Sequence, residues 1–242
     1  MPLKPVVFSD IDYTIVFDSE LHPRTTELIQ SIRERAHFIL ITARSRAECQ
    51  PLPPIPNDGL VAENGAAVYL AHDAVPYLDP DWDALMALRQ PALDAFREAL
   101  ISRGWRINHK LRAFSSGIQL SGKADAEVQW AVDNLPTGLQ LQFSHNTAGD
   151  YLEVFPVEAG KDKAVLRVCE DLGVPVEATC GLGDNVNDLD MLRVVGLPLA
   201  PGNCHPQARE LTLSRGGYVS PHARHEGAWD ILQRALEQVT PW

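Results

Sequence analysis

The sequence predicts an α/β fold, a doubly wound, Rossmann-like parallel sheet interrupted by an inserted α+β unit. Three features predict it. Short apolar runs at Val6-Val7-Phe8, His37 to Ile41 and Thr179 to Leu182 each stop abruptly at polar residues, as strands buried on both faces do. Stretches with helical periodicity separate those runs. Between residues 78 and 157 the pattern shifts to segments alternating apolar and polar residues, which suit an open-faced sheet.

Each element follows in order. Val6-Val7-Phe8 runs into Ser9-Asp10-Ile11-Asp12, and Pro23 to Arg35 is helical because Leu28, Ile29 and Ile32 share one face. His37 to Ile41 is a second buried strand, closed by Thr42-Ala43-Arg44-Ser45. Pro51 to Pro56 reads as a loop, and Leu60-Val61-Ala62 and Ala66 to Leu70 as short strands around Glu63-Asn64-Gly65. Asp79 to Arg103 is a long helical stretch, with Pro91 placed to break or kink it. Phe114 to Ser121, Leu139 to Phe143 and Tyr151 to Phe155 alternate like half-buried strands, with a helix from Ala124 to Asn134 between the first two. The α/β pattern returns with helices at Asp162 to Leu172 and Asp188 to Val194, a strand at Ala200 and a terminal helix from Trp229 to Val239. This divides the chain into a core of residues 1–77 and 158–242 and an insert of residues 78–157.

Composition narrows the function. With 242 residues, 45% of them hydrophobic, the chain is long enough to bury roughly 70–75% of its unfolded surface without a metal or disulfide staple. Its net charge of −11 and scattered basic residues argue against nucleic acid, which calls for a concentrated positive footprint. An acidic chain that binds an anion must supply local positive charge or a cation at the site. The four cysteines are far apart with no CxxC pair, so reduced thiols and a cytoplasmic location are expected. No signal-peptide apolar region precedes Asp10 and no apolar run reaches membrane-spanning length, so a soluble protein is expected.

Chemistry concentrates at the strand ends. Asp10 and Asp12, two apart in extended chain, project to one side. One suits a nucleophile; the other, held protonated by its neighbour's charge, suits a general acid and base. A plain acidic strand end is the alternative. Thr42 can donate to a phosphoryl oxygen or serve as an ordinary cap, and Arg44 is a candidate anion contact. Gly181-Leu182-Gly183-Asp184-Asn185-Val186-Asn187-Asp188 is the strongest signal. A buried strand meets glycine, and two aspartates four apart straddle the turn into a helix, an oxygen set suited to Mg²⁺. The stretch lacks the GxGxxG dinucleotide fingerprint and the Gly-Lys-Ser/Thr ending of a Walker loop. Lys161 and Lys163, at a helix start, are each able to neutralise an anion.

Asp10-x-Asp12-x-Thr14, Thr42, Lys161 and Gly183-Asp184-x-x-Asn187-Asp188, in this order, resemble the four motifs of the haloacid dehalogenase-like (HAD) phosphohydrolases. The insert falls between the second and third motifs, the type 2 cap position. Glu63-Asn64-Gly65-Ala66 and Tyr151 to Lys161 resemble the IIB subgroup of sucrose-phosphate, mannosyl-3-phosphoglycerate and Cof-type sugar phosphatases. The resemblance implies a phosphomonoesterase acting on a phosphorylated sugar or glycosyl-phosphoglycerate, with Mg²⁺ as cofactor. Asp10 would form an aspartyl-phosphate, and Asp12 would protonate the leaving alcohol and then activate water. Thr42, Lys161 and Asn187 would hold phosphate. Asp10, Asp12 through its backbone carbonyl, Asp184 and Asp188 would make up the metal site. Arg44, Glu63, Asn64, His145 and Asn146 are candidates for contacting the substrate. His109, Lys110 and Arg112 are candidates for a second anionic group.

Two positions depart from the family pattern. Tyr13 and Ala43 stand where glycine is common, and Tyr13 places a bulky ring at the mouth of the site. Cys204-His205 and His222-x-x-His225 match no common zinc spacing. A phosphomutase or phosphotransferase using the same aspartyl-phosphate, and a non-catalytic sugar-phosphate sensor, are the competing readings.

Overall fold

The computed structural model describes residues 4–70, 80–108, 110–146 and 149–239. The core elements run β1 (Val6–Ser9), α1 (Pro23–Arg33), β2 (His37–Ile41), α2 (Arg46–Cys49), β3 (Gly59–Ala62) and β4 (Ala67–Leu70). After the insert come α5 (Lys161–Leu172), β9 (Thr179–Leu182), α6 (Leu189–Val194), β10 (Leu197–Ala200), α7 (Pro206–Ser214), β11 (Tyr218–Val219) and α8 (Arg224–Gln238). They form a seven-stranded sheet of order β11-β10-β9-β1-β2-β3-β4, parallel apart from the β3–β4 pair.

The apolar runs are strands because helices cover both faces of this sheet. Val6 and Phe8 pack with Val165, Val168, Met191 and Leu192 of α5 and α6. Val7, between them, packs with Ile29, Ile32, Ile231 and Leu232 of α1 and α8. Successive residues of one strand thus enter opposite apolar layers, and each fully buried aliphatic or aromatic side chain contributes about 1.5–3 kcal/mol. Strand order reverses at β1, which pairs with β2 on one side and β9 on the other. In open α/β sheets the crevice beyond the strand carboxyl ends at such a point is where ligands bind.

The insert contributes α3 (Pro80–Ser102), β5 (Ile107–Asn108), β6 (Ser116–Gln119), α4 (Asp125–Asp133), β7 (Leu139–Asn146) and β8 (Gly149–Pro156). Its antiparallel sheet has the order β5-β6-β8-β7. Leu152 and Val154 join Leu93, Phe96 and Leu100 of α3 in its apolar core, while the alternate residues Tyr151 and Glu153 look into a cavity shared with the main sheet. The insert is a cap with one dry face and one face turned to the site.

Several sequence expectations change. Pro91 lies inside α3, which runs unbroken through it; the neighbouring turns bury Met86, Leu93 and Phe96, and that packing offsets the lost backbone bond. The helix expected from Asp188 begins as a 3₁₀ turn at Val186–Asp188. The terminal helix starts five residues before Trp229, at Arg224. The helices α2 and α7 and the two-residue strands β5 and β11 were not anticipated. No helix among the described residues is long and apolar enough to cross a membrane.

Candidate active site

Every candidate reacting group sits at the carboxyl end of a strand or the start of a helix. Asp10 follows β1, its N–H donating to the Leu182 carbonyl of β9 at 2.9 Å. Thr42 follows β2, and Asp184 follows β9. Gly183 lets this last turn close, because a Cβ there would overlap Asp188. Lys161 opens α5, which Gly65 brings close: Gly65 has φ +95°, and a Cβ on it would overlap the Gly160 carbonyl.

Lys161 lies at the centre, 2% exposed. Its Nζ donates to Asp10 Oδ1 at 2.8 Å and to Asp188 Oδ1 at 2.6 Å. Lys163 points away and donates to the Val157 and Ala159 carbonyls. Asp188 Oδ2 accepts from the Asp184 and Asn185 N–H groups, each at 3.0 Å. Thr14 Oγ1 donates to Asp184 Oδ1 at 3.1 Å.

Oxygens of Asp10, Asp184 and Asp188 lie within 4.8 Å of one another. Burial, then repulsion from Asp188, pushes the Asp10 carboxyl up to about 7 despite Lys161. Burial and the charges of Asp188 and Asp10 hold Asp184 well above the usual carboxylate range. For Lys161, burial works against the charge, but Asp10 and Asp188 outweigh it and push the ammonium up. One ammonium cannot balance three converging carboxylates, and a hard divalent cation with oxygen ligands fits the residual charge. The residues present therefore suit Mg²⁺. The Asp12 side chain lies outside this trio.

Asp12 has a different partner. Both its oxygens accept from Arg44, at 2.7 Å from Nε and 2.8 Å from a terminal nitrogen. Arg44, expected as an anion contact, lines the cavity and clamps Asp12. Thr42 Oγ1 accepts the Arg44 N–H at 3.1 Å, so its own O–H is free to donate into the cavity that it lines. Asn187, 8% exposed, lines the same cavity.

Glu63 and Asn64 do not line it. Both have left-handed backbones, at φ +52° and +55°. Their N–H groups donate to Arg44 and Thr42 carbonyls at 2.9 and 3.0 Å, bracing the Thr42 loop. The Glu63 carboxylate accepts from Ala113 N, Phe114 N and Ser115 Oγ of the cap. A side chain expected at the substrate is committed to tying cap to core. His145 and Asn146 end β7, paired with Asp150 and Gly149; their side chains, like His109, lie outside the described residues.

The cavity is about 520 Å³, with Asp10, Asp12 and Asp184 at its base and Arg112, Ser144 and Glu153 on the cap side. Arg112 donates to core Glu48 at 2.9 Å and to Glu153 at 2.5 Å, and Asn108 also donates to Glu48. Burial pushes the Glu153 carboxyl up, with Arg112 opposing. Sequence reading missed Glu48 and Glu153 as site residues. The Ser45-x-x-Glu48 pattern signals only a capping box, which the structure contains.

Comparison with known proteins agrees with this architecture. Residues 123–227 match the haloacid dehalogenase-like hydrolase family. A phosphoglycolate phosphatase of Methanopyrus kandleri is 25% identical over 98% of this chain and 99% of its own. The sucrose-phosphatase of Synechocystis, solved with sucrose and phosphate, superposes with a TM-score of 0.76 at 18% identity over 98% of each chain. A HAD subclass IIB sugar phosphatase superposes with a TM-score of 0.69 at 16% identity, covering 96% of this chain and 98% of its own. The family match over residues 123–227 and the fold shared with these solved structures agree with a capped doubly wound sheet whose four motifs meet at one crevice.

Proposed function

We propose that this chain is a Mg²⁺-dependent phosphomonoesterase that hydrolyses a phosphorylated sugar through an aspartyl-phosphate on Asp10. The observation that carries this reading is the meeting of Asp10, Asp184, Asp188 and Lys161 beneath a cavity that also holds Asp12 and Thr42. Phosphoryl transfer asks mainly for positioning and charge neutralisation, and both are built here. The division into a core of residues 1–77 and 158–242 and a cap of residues 78–157 belongs to the same proposal.

In this mechanism Asp10 attacks phosphorus as the bond to the leaving oxygen breaks, and Asp12, protonated on an oxygen released from Arg44, delivers that proton to the leaving oxygen. Asp12 then takes a proton from water, which attacks phosphorus and frees Asp10 and inorganic phosphate. Lys161, Thr42 and Asn187 orient the phosphoryl oxygens, and Arg44 keeps Asp12 at the leaving-group side. Asp10, Asp184 and Asp188 would hold a divalent cation, which would supply neutralising charge for those oxygens.

The cap wall favours a hydroxyl-rich leaving group. Arg112 is already paired with Glu48 and Glu153, so a substrate carboxylate meets acidic side chains before it meets a cation. Ser144, Tyr151 and Asn108 offer hydroxyl and amide partners. The test is inorganic phosphate release from sugar phosphates, glycosyl-phosphoglycerates and 2-phosphoglycolate, with Mg²⁺ and with chelator. Mg²⁺-dependent release from sugar phosphates in preference to 2-phosphoglycolate is expected. Phosphate reappearing on another hydroxyl would identify a phosphotransferase instead.

A further inference from the structure

The mechanism gives Tyr13 no task, yet its backbone is strained. Its φ is +59°, a conformation in which a bulky side chain crowds its own backbone. The conformation is over-determined. Tyr13 N donates to Val16 O at 2.8 Å, and its carbonyl accepts from Asn203 Nδ2 at 2.9 Å. Asn203 is fixed in turn, its Oδ1 accepting from Arg224 N at 2.8 Å. Glycine would meet this backbone requirement without strain, so what tyrosine adds is its side chain. Strain of this kind, held in place by its surroundings, collects where a side chain is presented for function.

The ring is braced, and the residue lines the cavity. It meets Phe17 edge-on, with centroids 6.3 Å apart, and Phe17 is 1% exposed and packs on His225 at 5.0 Å. Tyr13 lines the cavity beside Asp12, while Glu48, Asn108, Ser144 and Glu153 make its remote walls polar. A leaving group protonated by Asp12 therefore lies between an aromatic surface on the core and hydrogen-bonding groups on the cap. A cyclic sugar matches that asymmetry, with C–H faces for the ring and hydroxyls for the opposite wall.

Building on the phosphatase reading, we propose that Tyr13 is a specificity-determining residue whose ring packs against the C–H face of a cyclic sugar leaving group. The test compares wild type with Tyr13→Gly, Tyr13→Asn and Tyr13→Phe, measuring kcat and KM for hexose 6-phosphates and for acyclic glycerol 3-phosphate. Glycine and asparagine both tolerate a left-handed backbone, so loss of the ring is separated from loss of the fold. The ratio of kcat/KM for the cyclic over the acyclic substrate is expected to fall about tenfold in the Gly and Asn variants, mostly through KM, and to survive in the Phe variant. An unchanged ratio in active enzyme overturns the proposal, as does an equal fall for both substrates. If wild type releases phosphate from neither class nor from any other member of the panel above, the phosphatase reading itself fails, and the role of Tyr13 falls with it.

Discussion

Three carboxylates share one ammonium at the base of the cavity, and this imbalance governs single substitutions there. Asp10→Asn keeps the shape, removes the nucleophile and relieves repulsion, so phosphate release is expected to drop by at least about 1,000-fold while the protein stays folded. Near-full turnover in this variant would remove the covalent step. Lys161→Ala is expected to cost at least about 100-fold in kcat/KM, against about twofold for Lys163→Ala, whose amine bonds only carbonyls near the surface. The opposite ranking would move the phosphate contact to Lys163. The acids and lysines stood out in the sequence because each ends a strand or opens a helix. The Arg44 clamp did not, because its partner Asp12 lies 32 residues away and only the adjacency of β1 and β2 brings them together. Glu63 misled in the opposite direction. A glutamate in a polar turn invites a ligand-binding role, yet its three hydrogen bonds come from cap residues about fifty positions downstream.

At the scale of elements, the segment from Glu63 to Gly65 works as a joint. It carries the Thr42 loop on its backbone N–H groups, the cap on the Glu63 carboxylate and the start of α5 against Gly65. Glu63→Ala leaves two cap N–H groups without their acceptor and is expected to lower unfolding free energy by about 2–4 kcal/mol in urea titration. Gly65→Ala is expected to cost at least about 1 kcal/mol and to reduce turnover as well, since a Cβ displaces the helix that carries Lys161. An unchanged urea midpoint for either variant would show the joint to be dispensable. Strands buried on both faces and helices with a clear apolar stripe were legible in advance. The missed elements lack either signal: α2 is a single turn, β5 and β11 have two residues each, and α7 buries only Ala208 and Thr212. Alternation puts Leu152 and Glu153 on opposite faces of β8, but it does not say that the Glu153 face meets the cavity of the main sheet.

For the molecule as a whole, folding without metal confines negative charge that water would otherwise solvate. The Asp10 carboxyl rises to about 7 and Asp184 also rises, so the folded state binds protons more tightly than the unfolded chain. The favourable contribution of Asp10 is complete below about pH 4, the ordinary carboxylate range, and is lost as pH climbs through about 7; that of Asp184 is lost in the same direction. Asp10→Asn lacks this titration. In chelator, its Tm advantage over wild type is expected to widen from about pH 5 to about pH 8, and added Mg²⁺ should narrow the gap. A pH-independent gap would mean that the buried acids do not oppose folding.

Placing β1 between β2 and β9 also bears on how the protein is made. During synthesis Val6 to Ser9 emerge before the cap, but their β9 partners, Thr179 to Leu182, follow only after the whole cap. Until then one edge of β1 is an unpaired row of backbone donors and acceptors, the kind of edge that recruits other chains. The cap sheet pairs neighbouring segments, such as β7 with β8, and can settle sooner, since local contacts close faster than distant ones. A nascent chain therefore carries its nucleophile on an open sheet, without Lys161 or Asp184 to complete it. Activity and protection from aggregation arrive together, once the segments that follow the cap are made.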